Sequence, residues 1–250
     1  MNKRRRKLRA AVIIGIAVLL LIFGLIADSI GYQQFTKTLT AYYKDNALSI
    51  AEQAAAVIDT DDLDGFLSSG GTSPEYIQAH EELQTLCNKM NAKFIYVLFV
   101  DWEDFSEVTY VFEVVNENSE FGEFPVGHKL DVTEGEYVEY RRCFKELIQN
   151  DRDEEFVIQN HGRIETGYHI TALVSMRNDA GNIKAVLGVQ KQMDYLHNAR
   201  IEYVHSIVIA TLLLILTAGT SWFFFLRRRL LAPVADISRE VTRFSEENVL

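Results

Sequence analysis

Four polar residues occupy strand-like segments in positions from which their side chains would hold a small solute. They offer a carboxylate, an imidazole, a hydroxyl and an amide, and are Glu113, His169, Thr171 and Gln190. Because alternate side chains of a strand share one face, all four are predicted to line one pocket. Residues 116–150 are predicted to cover this pocket. Tyr96 and Arg141 are expected to reach the same pocket. The alternative is that these residues face solvent on a half-exposed sheet.

The opposite face of the same segments is apolar. Around Glu113, strict alternation places Tyr110, Phe112 and Val114 together, pointing away from the carboxylate. The corresponding residues of the later segments are Tyr168, Ile170, Ala172, Val174, Ile183, Ala185, Leu187 and Val189. This face is predicted to pack on a long helix.

Motifs of catalytic and metal sites are incomplete in this chain. The His80-Glu-Glu segment lacks the second histidine of a zinc peptidase motif, because Gln84 stands in its place. His128, His161 and His169 do not have the spacing of metal ligands. Neither a glycine-rich phosphate loop nor a Gly-x-Ser-x-Gly elbow is present. We therefore expect no catalytic residue, no metal, no cofactor and no enzyme activity within these residues.

The acidic segment Asp59–Gly65 suggests a calcium loop, but the EF-hand pattern fails. With Gly65 at the sharp turn, Thr60 stands first and Gly71 takes the twelfth place, where a glutamate is required. An acidic turn that ends one helix and precedes a short capped helix is the better interpretation.

The chain has two cysteines, Cys87 and Cys143, on separate predicted helices. An extracellular location permits a disulfide. Both lie among apolar neighbours, however, and we favour two buried free thiols.

Five segments rich in β-branched and aromatic residues are predicted strands. They are Phe94–Val100, Val108–Val115, Glu155–Gln159, Thr166–Met176 and Asn182–Gln190. Short polar turns join the first two and the last two, so both pairs are predicted hairpins. Residues 116–135 contain several glycines and a proline and are predicted to be irregular.

Residues 30–58 carry apolar groups at helical spacing and no proline, so one long helix is predicted to continue from the apolar segment before them. Its stripe consists of Phe35, Leu39, Tyr43, Ala47, Ile50, Ala54 and Val57. The stripe needs a partner surface, either its own domain, a second copy, or both. With shorter helices at Glu75–Lys89 and Glu136–Asn150, the predicted fold class is α+β, one antiparallel sheet with helices packed on it.

Two uncharged apolar runs, Ala10–Ala27 and Ile207–Leu226, are each long enough to cross a bilayer. A cleaved signal peptide is the alternative for the first run. Its length, and Leu25 where a small residue is required before Ala27, favour an uncleaved anchor.

Basic residues flank both runs and predict the orientation. Residues 1–9 contain lysines and arginines but no acid, and Arg227, Arg228 and Arg229 follow the second run. Basic flanks stay cytoplasmic, so both termini are expected inside a plasma membrane and the middle outside. The predicted regions are a cytoplasmic N-terminus (1–9), a first span (10–27), an extracellular domain (28–205), a second span (206–226) and a cytoplasmic segment (227–250).

The extracellular region is strongly acidic, with a net charge of roughly −17 against −10 for the whole chain. Such a charge repels phosphates. Nucleic acid and anionic lipid are therefore not expected as partners.

The order of these elements resembles the extracellular Cache (PAS-like) sensor domains of bacterial transmembrane receptors. The resemblance rests on the long helix, on FIYVLFV and VTYVFEVV, and on the closing hairpin TGYHITALVSMRNDAGNIKAVLGVQ. Many amino-acid-binding members have an aspartate near the end of the last strand to hold the ligand's ammonium group. Here Gln190 stands in that region, so the resemblance does not favour an amino acid over a neutral or anionic ligand.

The segment RRRLLAPVADISREVTRF resembles the first helix of a HAMP linker, with Pro233 soon after the span. Its apolar residues repeat at the spacing of a coiled-coil seam, which requires a partner helix and predicts a homodimer. They are Leu230, Val234, Ile237, Val241 and Phe244. These residues are too few for a whole HAMP unit, so the chain is expected to be truncated before an output domain.

Together these features predict the sensory input portion of a signal-transduction receptor. A small extracellular ligand would shift the last strand and the following helix, and the second span would pass the change to a cytoplasmic effector. The effector would be a histidine kinase, a chemotaxis stalk, a diguanylate cyclase or a phosphatase. The alternatives are a membrane-anchored extracellular enzyme or adhesin, or a structural partner of another membrane protein.

Overall fold

The computed structural model describes residues 2–159, 166–226 and 228 of the chain. The described helices are α1 (Asn2–Ala55), α2 (Leu63–Ser68), α3 (Pro74–Lys89), α4 (Val138–Gln149) and α5 (Asp194–Leu226). The described strands are β1 (Phe94–Val100), β2 (Glu107–Val115), β3 (Lys129–Asp131), β4 (Glu154–Gln159), β5 (His169–Arg177) and β6 (Ile183–Gln192). Single turns of 3-10 helix lie at Thr60–Asp62 and Gly135–Tyr137.

The six strands form one antiparallel sheet in the order β3-β2-β1-β6-β5-β4. The predicted α+β class is confirmed, as are the hairpins β1–β2 and β5–β6. Strand β3 lies within the segment that was expected to be irregular. It has only three residues, which is too short for a recognisable alternation of side chains.

One face of the sheet packs on α1, α2 and α3. Ala47, Ile50 and Ala54 of α1 are completely buried, in a cluster that includes Ile95 and Phe112 of the sheet. The apolar stripe predicted for the long helix therefore finds its partner surface within its own domain.

The other face packs on α4. Tyr140, Cys143, Phe144 and Leu147 of this helix are buried against a second apolar cluster of the sheet. Cys87 belongs to the first cluster and Cys143 to the second, and both are free thiols, which confirms the interpretation that we favoured.

A β-bulge in β2 changes the predicted alternation. The register pairs Val97 with Phe112 but Leu98 with Tyr110, so Val111 is an extra residue. Tyr110 consequently joins the cluster on the α4 face, whereas Phe112 packs on the helices of the other face. The prediction that Tyr110 shares a face with Phe112 was wrong, because an inserted residue reverses the direction of every side chain before it.

The acidic segment after α1 is a turn that precedes a short helix, as expected, but the side-chain cap is on the 3-10 turn and not on α2. The Asp59 carboxylate accepts a hydrogen bond from the backbone N–H of Asp61 at 2.9 Å and begins the 3-10 turn that leads into α2. Lys184 of β6 donates to the Asp61 carbonyl at 3.1 Å and lies 2.9 Å from the Asp64 carboxylate. These acids therefore form a helix cap and an ion pair.

The sheet and its helices form one compact unit, Lys37–Asn198, and the described parts of Met1–Thr36 and Ala199–Leu250 form another. Two helices, Ala17–Ala55 and Asn198–Phe225, are long and apolar enough to cross a membrane, and each has part of its length in the second unit. Within it, the Thr211 hydroxyl donates to Asp28 at 3.0 Å. The HAMP-like segment and its predicted coiled-coil seam, 229–250, lie outside the described residues.

Candidate functional site

A cavity of about 190 Å³ lies between the sheet and the residues that cover its α4 face. Its floor comes from β1, β2, β5 and β6, and its cover from loop residues 121–124, β3 and the start of α4. The predicted roof, residues 116–150, contributes Phe121, Phe124, Val132 and Tyr140, among others.

The structure brings five of the six predicted site residues together. Tyr96, Glu113, His169 and Gln190 line the cavity, and Thr171 lies directly beneath it, hydrogen-bonded to Tyr140. Glu113, His169, Thr171 and Gln190 are 7%, 1%, 0% and 4% exposed. The alternative in which these residues face solvent is therefore wrong, because loop residues and α4 cover this face of the sheet.

Arg141 does not line the cavity. Its guanidinium donates to the carbonyl oxygens of Phe105 at 2.9 Å and of Asp104 at 2.8 Å. The left-handed backbone of Phe105, with φ of 59°, belongs to the tight loop that presents these carbonyls. Arg141 thus ties α4 to the loop between β1 and β2.

His169, Tyr140 and Thr171 form a buried hydrogen-bond chain with a defined direction. His169 Nδ1 lies 2.7 Å from the Gly167 carbonyl oxygen, which only accepts, so Nδ1 carries the ring proton. Nε2 then accepts from the Tyr140 hydroxyl at 3.0 Å, and the Thr171 hydroxyl donates to Tyr140 at 2.9 Å. Burial lowers the pKa of His169 to about 4, so the ring is neutral at physiological pH.

Glu113 is the acidic group of the cavity floor. Its carboxylate accepts a hydrogen bond from the backbone N–H of Phe124 in the cover. Burial raises the pKa of Glu113 to about 7, the hydrogen bond from Phe124 opposes this rise, and the charge of nearby Glu123 adds to it. At neutral pH the carboxyl group is therefore divided between its protonated and ionised forms.

Gln190 presents a buried amide without a donor partner. Its Nε2 makes no hydrogen bond to any residue that the structure describes, although the side chain is almost completely buried. An unpaired buried donor costs about 1–3 kcal/mol. A ligand oxygen in the cavity would recover this free energy.

Aromatic rings form much of the remaining wall. Tyr110 lies 6.1 Å from Tyr96 and 5.1 Å from Phe124 between ring centroids, and Phe94 lies 5.8 Å from Phe121. Sequence reasoning missed Tyr110, Phe121 and Phe124 as site residues. The signal available for the last two was a pair of phenylalanines in an otherwise polar loop, a composition that exposed loops rarely have.

Gly188 makes room for one of these rings. It pairs with Tyr96 across β1 and β6, and a Cβ atom at Gly188 would lie only 2.1 Å from Tyr96 Cε2. The absence of a side chain lets the Tyr96 ring lie flat over β6. Gly188 therefore fixes the width of the cavity.

Chemically, the arrangement suits reversible binding. It combines a carboxyl group, an unpaired amide donor, tyrosine hydroxyls and aromatic walls in one concave, partly open cavity, which is typical of small-molecule sites. Among the described residues, no group of three histidines, cysteines or acids is placed to hold a metal ion.

No family model and no curated protein matches the chain. Among solved structures, the chain is similar to the sensory domain of the Campylobacter jejuni chemoreceptor Tlp3 (CcmL) with isoleucine bound. The identity is 14% and the TM-score 0.37, over 80% of this chain and 67% of that one. The periplasmic sensory domain of the Campylobacter jejuni chemoreceptor Tlp1 has 10% identity and a TM-score of 0.39, over 69% and 61% of the two chains.

An IclR family transcriptional regulator from Brucella abortus is similar to a comparable degree. Its identity is 14% and its TM-score 0.34, over 58% of this chain and 66% of that one. Chemoreceptor domains and a transcriptional regulator thus resemble the chain almost equally, at TM-scores that decide nothing about function. The function must be argued from the chain's own residues.

Proposed function

We propose that the chain is the sensory input portion of a transmembrane receptor that binds a small extracellular solute in the cavity beside Gln190. The observation that carries the proposal is the unpaired Gln190 amide, buried at the wall of a cavity of about 190 Å³. A domain that served only as a scaffold would gain stability by filling this space and pairing this donor.

The path from the cavity to the second apolar helix is short along the chain. Gln190 lies on β6, which ends at Gln192, and α5 begins at Asp194. The residue between them, Met193, is buried, and its N–H donates to the Tyr168 carbonyl at 2.8 Å. A ligand that prefers one position of β6 would therefore act on the first turn of α5.

Such a signal requires different affinities of the ligand for two arrangements of the protein. A coupling free energy of about 1–3 kcal/mol is typical of allosteric proteins. The effector that would receive the signal belongs to the same proposal: a histidine kinase, a chemotaxis stalk, a diguanylate cyclase or a phosphatase.

The apolar helices support membrane insertion. Phe23 of α1 and Leu216 of α5 are 69% and 65% exposed, and many neighbouring large apolar residues are exposed as well. Contiguous exposure on this scale is unfavourable in water and favourable in lipid. With basic residues before α1 and at 227–229, the positive-inside rule places both termini in the cytoplasm and the acidic domain outside.

The binding part of the proposal is tested by a thermal-shift screen of the full chain in detergent against extracellular metabolites. A bound ligand raises the melting temperature by mass action. The matched variants are Val108→Phe, which places a larger side chain into the cavity wall, and Val138→Phe, at a position 50% exposed on α4. A ligand of the cavity stabilises the wild type and Val138→Phe but not Val108→Phe; if no metabolite does so, the solute-binding proposal fails.

The topology is tested by adding protease to intact cells. The expected result is cleavage of the acidic domain with protection of the basic C-terminal segment. A domain that is cleaved only after permeabilisation contradicts the extracellular location.

A further inference from the structure

We infer that the solute is a small organic ammonium ion, held by Glu113 and by the aromatic rings around it. This inference rests on the proposed function, because it names the chemical class that the same cavity selects. It depends on four features of the cavity, which are its charge, its aromatic walls, its unpaired amide donor and its volume.

The charged groups around the cavity favour a cation. Among the described residues, no lysine or arginine lines it, whereas Glu113 and Glu136 do. Arg141 is held by loop carbonyls, and Lys93 donates to the Thr166 carbonyl at 2.6 Å. His169 is neutral, with Nδ1 donating to Gly167 and Nε2 accepting from Tyr140. An anionic ligand would therefore meet two carboxyl groups in the lining, whereas Lys93 lies outside the lining with its ammonium 4.6 Å from the Phe121 ring centroid.

The aromatic walls favour the same class. Tyr96, Tyr110 and Phe124 surround the side of the cavity that contains Glu113, and the negative charge of Glu113 helps to raise the pKa of the nearby Tyr110 hydroxyl. The faces of aromatic rings carry partial negative charge and attract ammonium groups, most strongly where water is excluded. The carboxylate would neutralise the ammonium charge, and the rings would replace part of its hydration.

The Gln190 amide indicates a second group on the ligand. Gln190 lies two strands from Glu113, because β1 separates β6 from β2, which corresponds to about 10 Å between the strands. Side chains that extend toward each other over this distance leave room for a compact molecule with its ammonium at Glu113 and an oxygen at Gln190 Nε2. The oxygen would accept the hydrogen bond that the protein itself does not supply.

The volume limits the size of the ligand. An apolar cavity of about 150 Å³ accommodates benzene, so about 190 Å³ accommodates a ring with one or two additional atoms. Three probes of nearly equal shape differ in charge and fit this limit: benzylamine is a cation, benzyl alcohol is neutral and benzoate is an anion.

The test is the affinity of the full chain in detergent for these three probes, measured by isothermal titration at pH 8. The expected order is benzylamine, then benzyl alcohol about tenfold weaker, with no binding of benzoate. Glu113→Gln should remove the preference for benzylamine over benzyl alcohol. Glu123→Gln is the matched control and should preserve it, since Glu123 pairs with His80 at 3.3 Å and does not line the cavity.

The opposite outcomes separate this inference from the proposed function. If benzyl alcohol or benzoate binds at least as tightly as benzylamine, the ammonium assignment is wrong. If that binding is also lost in Val108→Phe, the cavity still binds solutes and the receptor proposal stands. If none of the probes binds, the ammonium assignment is likewise wrong, and the metabolite screen alone decides whether the cavity binds a solute.

The role of Gln190 is tested by adding an oxygen to the amine. 3-Hydroxybenzylamine should bind more tightly than benzylamine to the wild type, by about fivefold for one net hydrogen bond of about 1 kcal/mol. Gln190→Leu removes the donor at similar volume and should abolish the gain. An undiminished gain in Gln190→Leu contradicts the placement of the acceptor.

Discussion

The two faces of the sheet differ in the side chains that they bury: one buries apolar groups, and the other also buries polar groups around a cavity. The face under α1 and α3 is a continuous apolar cluster, in which Ile50, Leu83, Ile95 and Phe112 are at most 1% exposed. The face under α4 has comparable burial but adds Glu113, His169 and Gln190 around a cavity. Close apolar packing on one face supplies stability, whereas the polar face leaves a buried amide donor unpaired beside a cavity.

The largest loss of stability is expected from a substitution on the apolar face. Phe112→Ala removes a fully buried ring that stacks on Tyr76 with 4.3 Å between centroids. The loss of buried area and the resulting cavity should lower the free energy of unfolding by about 3–5 kcal/mol. Thermal unfolding of the full chain in detergent measures it, with Phe121→Ala as the matched control in the cover.

Phe121 is 40% exposed, so its truncation should cost clearly less. Equal losses for Phe112→Ala and Phe121→Ala would contradict the assignment of stability to the apolar face.

The next largest effect is a change in stability with pH, and it is expected from the titration of Glu113. Between its ordinary pKa of 4.5 and its folded pKa of about 7, the folded chain keeps a proton that the unfolded chain releases. The free energy of unfolding therefore falls as pH rises through this window, by at most about 3 kcal/mol. Glu113→Gln retains an acceptor for the Phe124 N–H but does not titrate, so it should gain stability relative to wild type between pH 5 and pH 8.

The control for this pH dependence is Glu120→Gln, an exposed acid of the same loop as Phe124. The groups that face Glu113 are Glu123 and the Phe124 N–H of the cover, and Tyr110 of its own strand, while His80 of α3 pairs with Glu123. A constant stability difference between Glu113→Gln and wild type across this range would show that Glu113 does not titrate as described.

A substitution at Gly188 is expected to lower the free energy of unfolding by about 1–3 kcal/mol, because the added side chain has no room. Gly188→Ala places a methyl group against the Tyr96 ring, which must leave the surface of β6. The displaced ring should both destabilise the fold and reduce ligand binding. Unfolding and titration experiments measure the two effects, and Gly65→Ala on α2, whose Cβ meets no atom within 4 Å and which does not line the cavity, is the matched control. Unchanged binding in Gly188→Ala would mean that Tyr96 does not shape the cavity.

The smallest effect is expected from Tyr140→Phe. The substitution leaves His169 Nε2 and the Thr171 hydroxyl without their shared partner, at a cost of about 1–2 kcal/mol. Tyr42→Phe is the control, because Tyr42 is 64% exposed on α1. The difference in melting temperature checks this prediction, and equal shifts for the two variants would contradict the directional hydrogen-bond chain.

The sequence predicted those parts of the site that follow regular alternation. His169 and Thr171 of β5 and Gln190 of β6 lie on one face, because the irregularity between β5 and β6 falls at Met176 and Arg177, beyond these residues. Tyr110 was assigned to the wrong face because the bulge at Val111 left no mark in the pattern of apolar residues.

Other features of the candidate site depend on contacts between residues that are far apart in the sequence. Arg141 was expected in the pocket, but the carbonyls of Asp104 and Phe105 hold it, and their direction follows from a loop conformation that the local sequence does not reveal. The hydrogen bond from the Phe124 N–H to Glu113 likewise requires residues 116–128 to fold back over the sheet. The sequence predicted that these residues are irregular and that they cover the pocket, but it did not predict which backbone group contacts Glu113.

The connection between β6 and α5 is a single residue, Met193. Its side chain is immobilised in the core, and its N–H is held by the Tyr168 carbonyl. A longer linker would absorb a displacement of the strand through its own bond rotations. With one residue between them, only the backbone rotations of Met193 separate the strand from the helix.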